Sequence, residues 1–164
     1  FRVLTFKIPG SGWVHLTTLL KVGRKGSFVD NLVAGGLVVP LDQDGRTGGA
    51  RDFKTNTNYR RHPDSGVQLS GILIEGYKDV VRLAVESSVH FSQMGILGWD
   101  IALTPDGPLI IEVNAAPGID YGQYLYGGLV TDDMKKALPT RNLLSRYPKT
   151  SLYPGHTRSR KGRI

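Results

Sequence analysis

The chain has 164 residues, of which 40% are hydrophobic and 21% charged; this suits one domain with a real core and excludes a disordered or fibrous chain. It contains no Cys, which excludes disulfides and thiolate metal sites, and no apolar run long enough to cross a membrane as a helix. The net charge of +7 is uneven: Arg158, Arg160, Lys161 and Arg163 all lie in the last seven residues, so the body is only mildly basic and suits a phosphate-bearing ligand as well as nucleic acid.

Taken in chain order, residues 1–8 (FRVLTFKI) alternate and are rich in β-formers, which predicts a strand. Pro9-Gly10-Ser11-Gly12 is a turn, and residues 13–22 form the second arm of a hairpin. A basic turn (GRKG, 23–26) leads to an irregular stretch, 28–33, containing Asp30-Asn31. Gly35-Gly36 opens a short apolar strand, 37–41, and 42–49 is a turn rich in Asp and Gly. Residues 50–61 are a strand or a covering loop. The whole polar segment 42–68 is long enough to suggest a lid or substrate loop.

Residues 75–93 predict one long helix, with Tyr77, Val81, Ala84, Val85 and Val89 on its apolar face and Met94-Gly95 ending it. Two strands follow, 96–104 and 108–114, joined by Pro105-Asp106-Gly107. Residues 132–138 are a candidate helix, and little order is expected from Pro148 onward. The fold class expected is α+β, a mainly antiparallel sheet with one long packing helix. The domain expected spans 1–147, with a basic tail at 148–164.

The stretch Gly98–Asn114 (GWDIALTPDGPLIIEVN) carries the chemistry. With a three-residue loop, Thr104 faces Pro108 and Asp100 falls opposite Glu112, their Cβ atoms about 5 Å apart. Asn114 then shares their face. Trp99, Ile101, Leu103, Leu109, Ile111 and Val113 make up the opposite, core-facing side. A two-residue loop would instead place Asp100 opposite Val113. Two carboxylates directly opposed in a hairpin repel, and a hard divalent cation such as Mg²⁺ offsets that repulsion. The plain alternative is a solvent-facing acidic strand face.

GWDIALTPDGPLIIEVNAAPG resembles the last metal-binding motif of the ATP-grasp superfamily. FRVLTF resembles the family strand whose Arg reaches the phosphates, and KVGRKGSFVDNLVAGGLVV resembles the strand, basic residue and Asn-then-Gly-Gly element that follow. The combination, over residues 1–123, most resembles the sugar-transfer-associated, hexapeptide-transferase-related branch. The resemblance implies an ATP-grasp C-terminal subdomain in which Asp100, Glu112 and Asn114 hold Mg²⁺, with Mn²⁺ able to substitute. It implies that Arg2 contacts the phosphate or acyl phosphate and that Asn31 lies near the phosphates. The basic position before Asn31 is filled by Lys21 or Arg24; a Lys there gives up bidentate contact. Among the alternatives, Arg2 pairs with an acid on a neighbouring strand, and Asn31 is a turn residue.

The activity implied is an ATP-dependent ligase that activates a carboxylate as an acyl phosphate for attack by an amine or related nucleophile. ATP and a carboxylate are the partners, the location expected is cytoplasmic, and neither membrane nor nucleic acid is an expected partner. Because the chain opens at Phe1 in a strand and lacks the other half of an ATP-grasp site, a fragment is expected, inactive without its N-terminal subdomain. Two competing readings are a non-catalytic remnant that binds a partner and a metal-dependent nuclease. A nuclease of that kind needs a Lys two residues past the Glu, where this chain has Asn114.

Overall fold

A computed structural model describes residues 1–25 and 36–129. Asn31, the candidate helix at 132–138 and the basic tail lie outside the described residues. Seven strands form one sheet, β1 (Arg2–Ile8), β2 (Gly12–Val22), β3 (Leu37–Pro40), β4 (Ala50–Asp52), β5 (Thr57–Tyr59), β6 (Ile96–Thr104) and β7 (Gly107–Asn114). The spatial order is β5-β4-β3-β2-β1-β6-β7, and every neighbouring pair is antiparallel. Two helices, α1 (Tyr77–Ser88) and α2 (Asp120–Leu125), complete the described elements. The architecture is thus mainly antiparallel sheet with few helices, compatible with the α+β class.

Helix α1 has 12 residues rather than the span 75–93. It starts late because Gly76, at φ 75°, holds a left-handed conformation that only glycine adopts freely and that cannot continue a helix. Its buried residues are Tyr77, Val80, Ala84 and Ser88, at intervals of three or four; Val89 is 59% exposed, not on the core side as the spacing predicts. His90, read from the sequence as a helix-face residue, lies past the helix in an exposed turn.

The helix packs on one face of the sheet against Val3, Leu97, Trp99 and Ile101. Inside that core, Trp99 donates its indole N–H to Thr5 Oγ1 at 3.0 Å, and Thr5 Oγ1 lies 2.8 Å from Ser88 Oγ. The Ser88 hydroxyl donates to the Ala84 carbonyl at 2.7 Å, so each polar group of this buried chain is satisfied. A second cluster, Leu37, Val39 and Ala50, sits at the other end of the sheet with Leu69 packed against it. The long polar segment 42–68 contains the β4–β5 hairpin and turns tied back to the body, as where Thr47 N donates to the Ile72 carbonyl at 2.8 Å.

After β7 the chain returns across the opposite face. Pro117 lies so close over Gly98 that a Cβ on Gly98 would sit 2.6 Å from Pro117 Cβ. Gly122 meets Leu129 and Thr17 in the same way, at 2.5 and 3.5 Å. Tyr126 pins the end of the segment: its hydroxyl donates toward the Thr18 and Leu41 carbonyls at 2.7 and 2.9 Å and accepts the Leu41 N–H at 2.9 Å. Burial pushes the Tyr126 phenol above its usual range, so it stays protonated as that bonding requires.

Candidate functional site

The ladder pairs Asp100 with Glu112, as the sequence predicts, but by another route. The turn holds only Pro105 and Asp106, because Gly107 already pairs with Thr104. Pro105 suits the first turn position through its fixed φ, and Gly107 takes φ 113°, which favours glycine. On an even ladder this shorter turn would slide Asp100 away from Glu112. A β-bulge restores the pairing: Ile101 faces Ile110, Asp100 faces Glu112, and Ile111 is the extra residue between.

The bulge also corrects the predicted core face. Ile110, not Leu109 or Ile111, packs inward beside Leu103 and Val113. Leu109 and Ile111 are 57% and 64% exposed. Leu109 pairs with Ala102 and so shares the face that carries Asp100.

Paired residues share a sheet face, so the register lines up one row of side chains across six strands. Glu112 pairs with Asp100, and Asp100 with Arg2. Arg2 pairs with Leu19, two residues from Lys21 on the same face of β2. Lys21 pairs with Val38, and Val38 with Arg51. The row is acidic at the β7 end and basic at the β4 end.

Asp100 does not wait for a cation. Arg2 grips it with two hydrogen bonds, Nε to Oδ1 at 2.7 Å and Nη2 to Oδ2 at 2.9 Å. Lys21 Nζ adds a third, to Oδ2 at 3.0 Å. The repulsion predicted between Asp100 and Glu112 is therefore offset by these two side chains, and Arg2 does pair with an acid on a neighbouring strand. Burial pushes the Asp100 carboxyl up, but the hydrogen bonds and charges of Arg2 and Lys21 outweigh it and hold the group below the usual carboxylate range. Glu112 is exposed and makes no hydrogen bond or ion pair with the described residues. Asn114 Oδ1 accepts the Ala116 N–H at 2.9 Å, which fixes its amide beside the turn into 115–117.

Arg24 lies elsewhere. It binds Asp64 through Nε at 2.8 Å and Nη2 at 3.0 Å, and its Nη1 approaches Asp52 at 3.6 Å. The Lys25 N–H also donates to Asp64 at 2.9 Å, and His62 Nε2 sits 2.8 Å from the Gly23 carbonyl. Between Lys21 and Arg24, the cation joined to Asp100 is Lys21. Arg51, on the same face, was not singled out from the sequence; its only signal there is a position in a three-residue strand whose register a single sequence does not reveal.

The donor set is all oxygen: two carboxylates and one amide on one sheet face, beside two cations. No group of three or more His, Cys, Asp or Glu gathers among the described residues. An ion held here would use Asp100, Glu112 and Asn114 and leave its other positions to water and phosphate, the coordination that suits Mg²⁺. Asp100 Oδ2 accepts from both Arg2 and Lys21, whereas Oδ1 accepts from Arg2 alone and keeps a second lone pair. The residues present therefore fit such an ion.

No helix of the described residues is long and apolar enough to cross a membrane. Neither a search of curated proteins nor one of solved structures gave a match. A family model described as sugar-transfer associated ATP-grasp matches residues 1–136. ATP-grasp proteins generally use ATP and Mg²⁺, and the family suggests an ATP-binding, ligase-like activity. By that match over most of its length, the chain belongs to the sugar-transfer associated ATP-grasp family.

Proposed function

We propose that this chain forms the metal- and phosphate-facing side of an ATP-grasp ligase that activates a carboxylate. The observation that carries the reading is the row Glu112–Asp100–Arg2–Lys21, in which two acids and two cations share one face of four adjacent strands. Asp100, Glu112 and Asn114 are the proposed metal ligands. Mg²⁺ held by them would supply charge neutralisation and orientation to the nucleotide's phosphates.

Arg2 and Lys21 are the proposed phosphate contacts. Arg2 presents a planar fork suited to two oxygens of the transferring phosphoryl group, and Lys21 presents a point charge. In the reaction proposed, a substrate carboxylate oxygen attacks the γ-phosphorus and the bond to ADP breaks. An amine or related nucleophile then attacks the acyl carbon and phosphate leaves. The protein's part is positioning and charge stabilisation, with no covalent protein nucleophile. Arg24, engaged by Asp64 and Asp52, is assigned a structural part in this reading, and Asn31 a place near the phosphates. The other side of the nucleotide site, and the cytoplasmic location expected from the sequence, are part of the proposal too: an N-terminal ATP-grasp subdomain would close over this face.

The ion pairs on Asp100 add a coupling. The cations that hold Asp100 are the ones that phosphates attract, so nucleotide should draw Arg2 and Lys21 outward and free the carboxylate for the ion. The test is Mn²⁺ binding followed by water-proton relaxation, with and without ADP, on the wild type and Glu112→Gln. The reading expects tight binding with ADP, weak binding without it, and loss in Glu112→Gln. Mn²⁺ binding that Glu112→Gln leaves unchanged would overturn the metal assignment. A non-catalytic remnant predicts ADP-independent behaviour in every arm.

A further inference from the structure

Among the described residues, Arg51 is a buried charge without a counter-ion. It is 9% exposed, and its partners are all neutral. Nη1 donates to Asn58 Oδ1 at 2.8 Å, and Nη2 donates to the Asn56 Oδ1 and to Tyr124 Oη, the latter at 2.6 Å. The guanidinium carbon also lies 5.0 Å from the centre of the Tyr124 ring. Its Nε–H is buried and has no hydrogen-bond partner among the described residues. No carboxylate among the described residues pairs with it; the adjacent Asp52 is held by the Lys54 and Thr55 N–H groups and approached by Arg24 instead.

An arginine cannot shed its proton, and buried charges in folded proteins are almost always paired. Breaking a buried pair costs several kcal/mol, so a half-pair standing alone needs a reason. The position supplies one. Arg51 lies on the same face as Lys21, two strands away across Val38, which puts their backbones on the order of 10 Å apart. Its surroundings are an aromatic wall, with Phe53 edge-on to Tyr121 and Tyr124 at 4.5 and 5.4 Å between ring centres. Two of its three partners are amides, Asn56 in the left-handed region at φ 61° in the β4–β5 turn and Asn58 on a short outer strand. Such neutral groups turn away from a guanidinium at less cost than a carboxylate partner would.

We infer that Arg51 is an oxyanion subsite: it takes a second anionic group, carboxylate or phosphate, of the substrate whose reacting carboxylate meets the phosphoryl group held at Arg2 and Lys21. This rests on the reading above and narrows it to substrates carrying two anionic groups separated by a spacer of several bonds. The three neutral partners hold the fork in place until the anion arrives, and the aromatic rings exclude water around it.

The test uses the whole chain without metal or nucleotide, so that it succeeds or fails apart from the Mn²⁺ experiment. The buried Nε–H gives an arginine side-chain ¹H–¹⁵N resonance, assigned by its loss in Arg51→Lys. Glutarate probes the carboxylate arm and inorganic phosphate the phosphate arm, with chloride at equal ionic strength as control. The expected result is a saturable shift of the Arg51 resonance at millimolar concentration with glutarate, phosphate or both, and none with chloride. Whichever arm saturates at lower concentration names the class. In Asn58→Asp, which builds a carboxylate against the fork, the resonance should persist, the thermal midpoint should rise and the anion response should vanish. A wild-type resonance indifferent to both anions, or an Asn58→Asp variant that responds as the wild type does, would overturn the inference.

Discussion

Two ion clusters in this chain use the same chemistry to different ends. Arg24 and Asp64 join through two hydrogen bonds on an exposed edge, and Arg2 and Asp100 join through two hydrogen bonds near the centre of the sheet. Both lower the carboxyl's proton affinity: Asp64 titrates at about 2, mainly through its hydrogen bond from Arg24 and then that from the Lys25 N–H. The difference is in what surrounds them. The Arg24 cluster fastens a turn to a loop, next to water that screens it. The Arg2 cluster is half-buried, carries a second cation, and stands one strand from an unpaired acid. Identical pair geometry therefore says little about role; the further partners decide it, a second cation at Asp100 and the buried Asp52 at Arg24.

Asp100→Ala should separate the clusters most sharply. It strands Arg2 and Lys21 as two half-buried cations, at a cost of about 2 kcal/mol to stability by chemical denaturation. A loss well below 1 kcal/mol would show that the pair is as weak as a surface bridge. Lys21→Met comes next. With one cation removed, Asp100 and Glu112 should bind Mn²⁺ about tenfold more tightly in the absence of nucleotide, roughly 1.4 kcal/mol, and ADP should enhance binding less than in the wild type. Unchanged Mn²⁺ affinity would break the proposed coupling between nucleotide and ion.

The pH dependence is a smaller effect with a definite sign. A carboxyl held lower in the folded state stabilises fully above its unfolded value of about 3.9, and that stability is lost as pH falls through the folded value. The stability difference between wild type and Asp100→Asn should thus be constant from pH 7 to about 5 and shrink below about 4. Asp64→Asn should have the least effect. At neutral pH its thermal midpoint should match that of the wild type, and adding salt should move the two together.

The acidic pairing of Asp100 with Glu112 was legible in the sequence because strand alternation constrains it. The path to it was not. A three-residue turn on an even ladder and a two-residue turn followed by a bulge reach the same pairing, and they differ only in whether Leu109 and Ile111 or Ile110 point inward. A bulge costs one residue and leaves no compositional mark, so the core face near the turn was misassigned. The helix was overextended for a related reason: apolar spacing continues to Val89, but Gly76 at one end and the turn after Ser88 at the other are set by backbone geometry. Arg51 stayed hidden because its meaning depends on Tyr124, 73 residues further along, and on its having no carboxylate partner among the described residues. Lys21 was separable from Arg24 only once the register of β2 was known.

Ile111 makes this hairpin a mechanism with a removable shim. Delete that single residue and every other pairing, from Thr104–Gly107 to Gly98–Asn114, remains possible on an even ladder. What changes is direction, since a bulge bends its strand and deepens the local twist. A one-residue deletion therefore keeps both carboxylates as neighbours while turning one relative to the other. Proximity and aim, which nearly every substitution alters together, become separate variables in this fold.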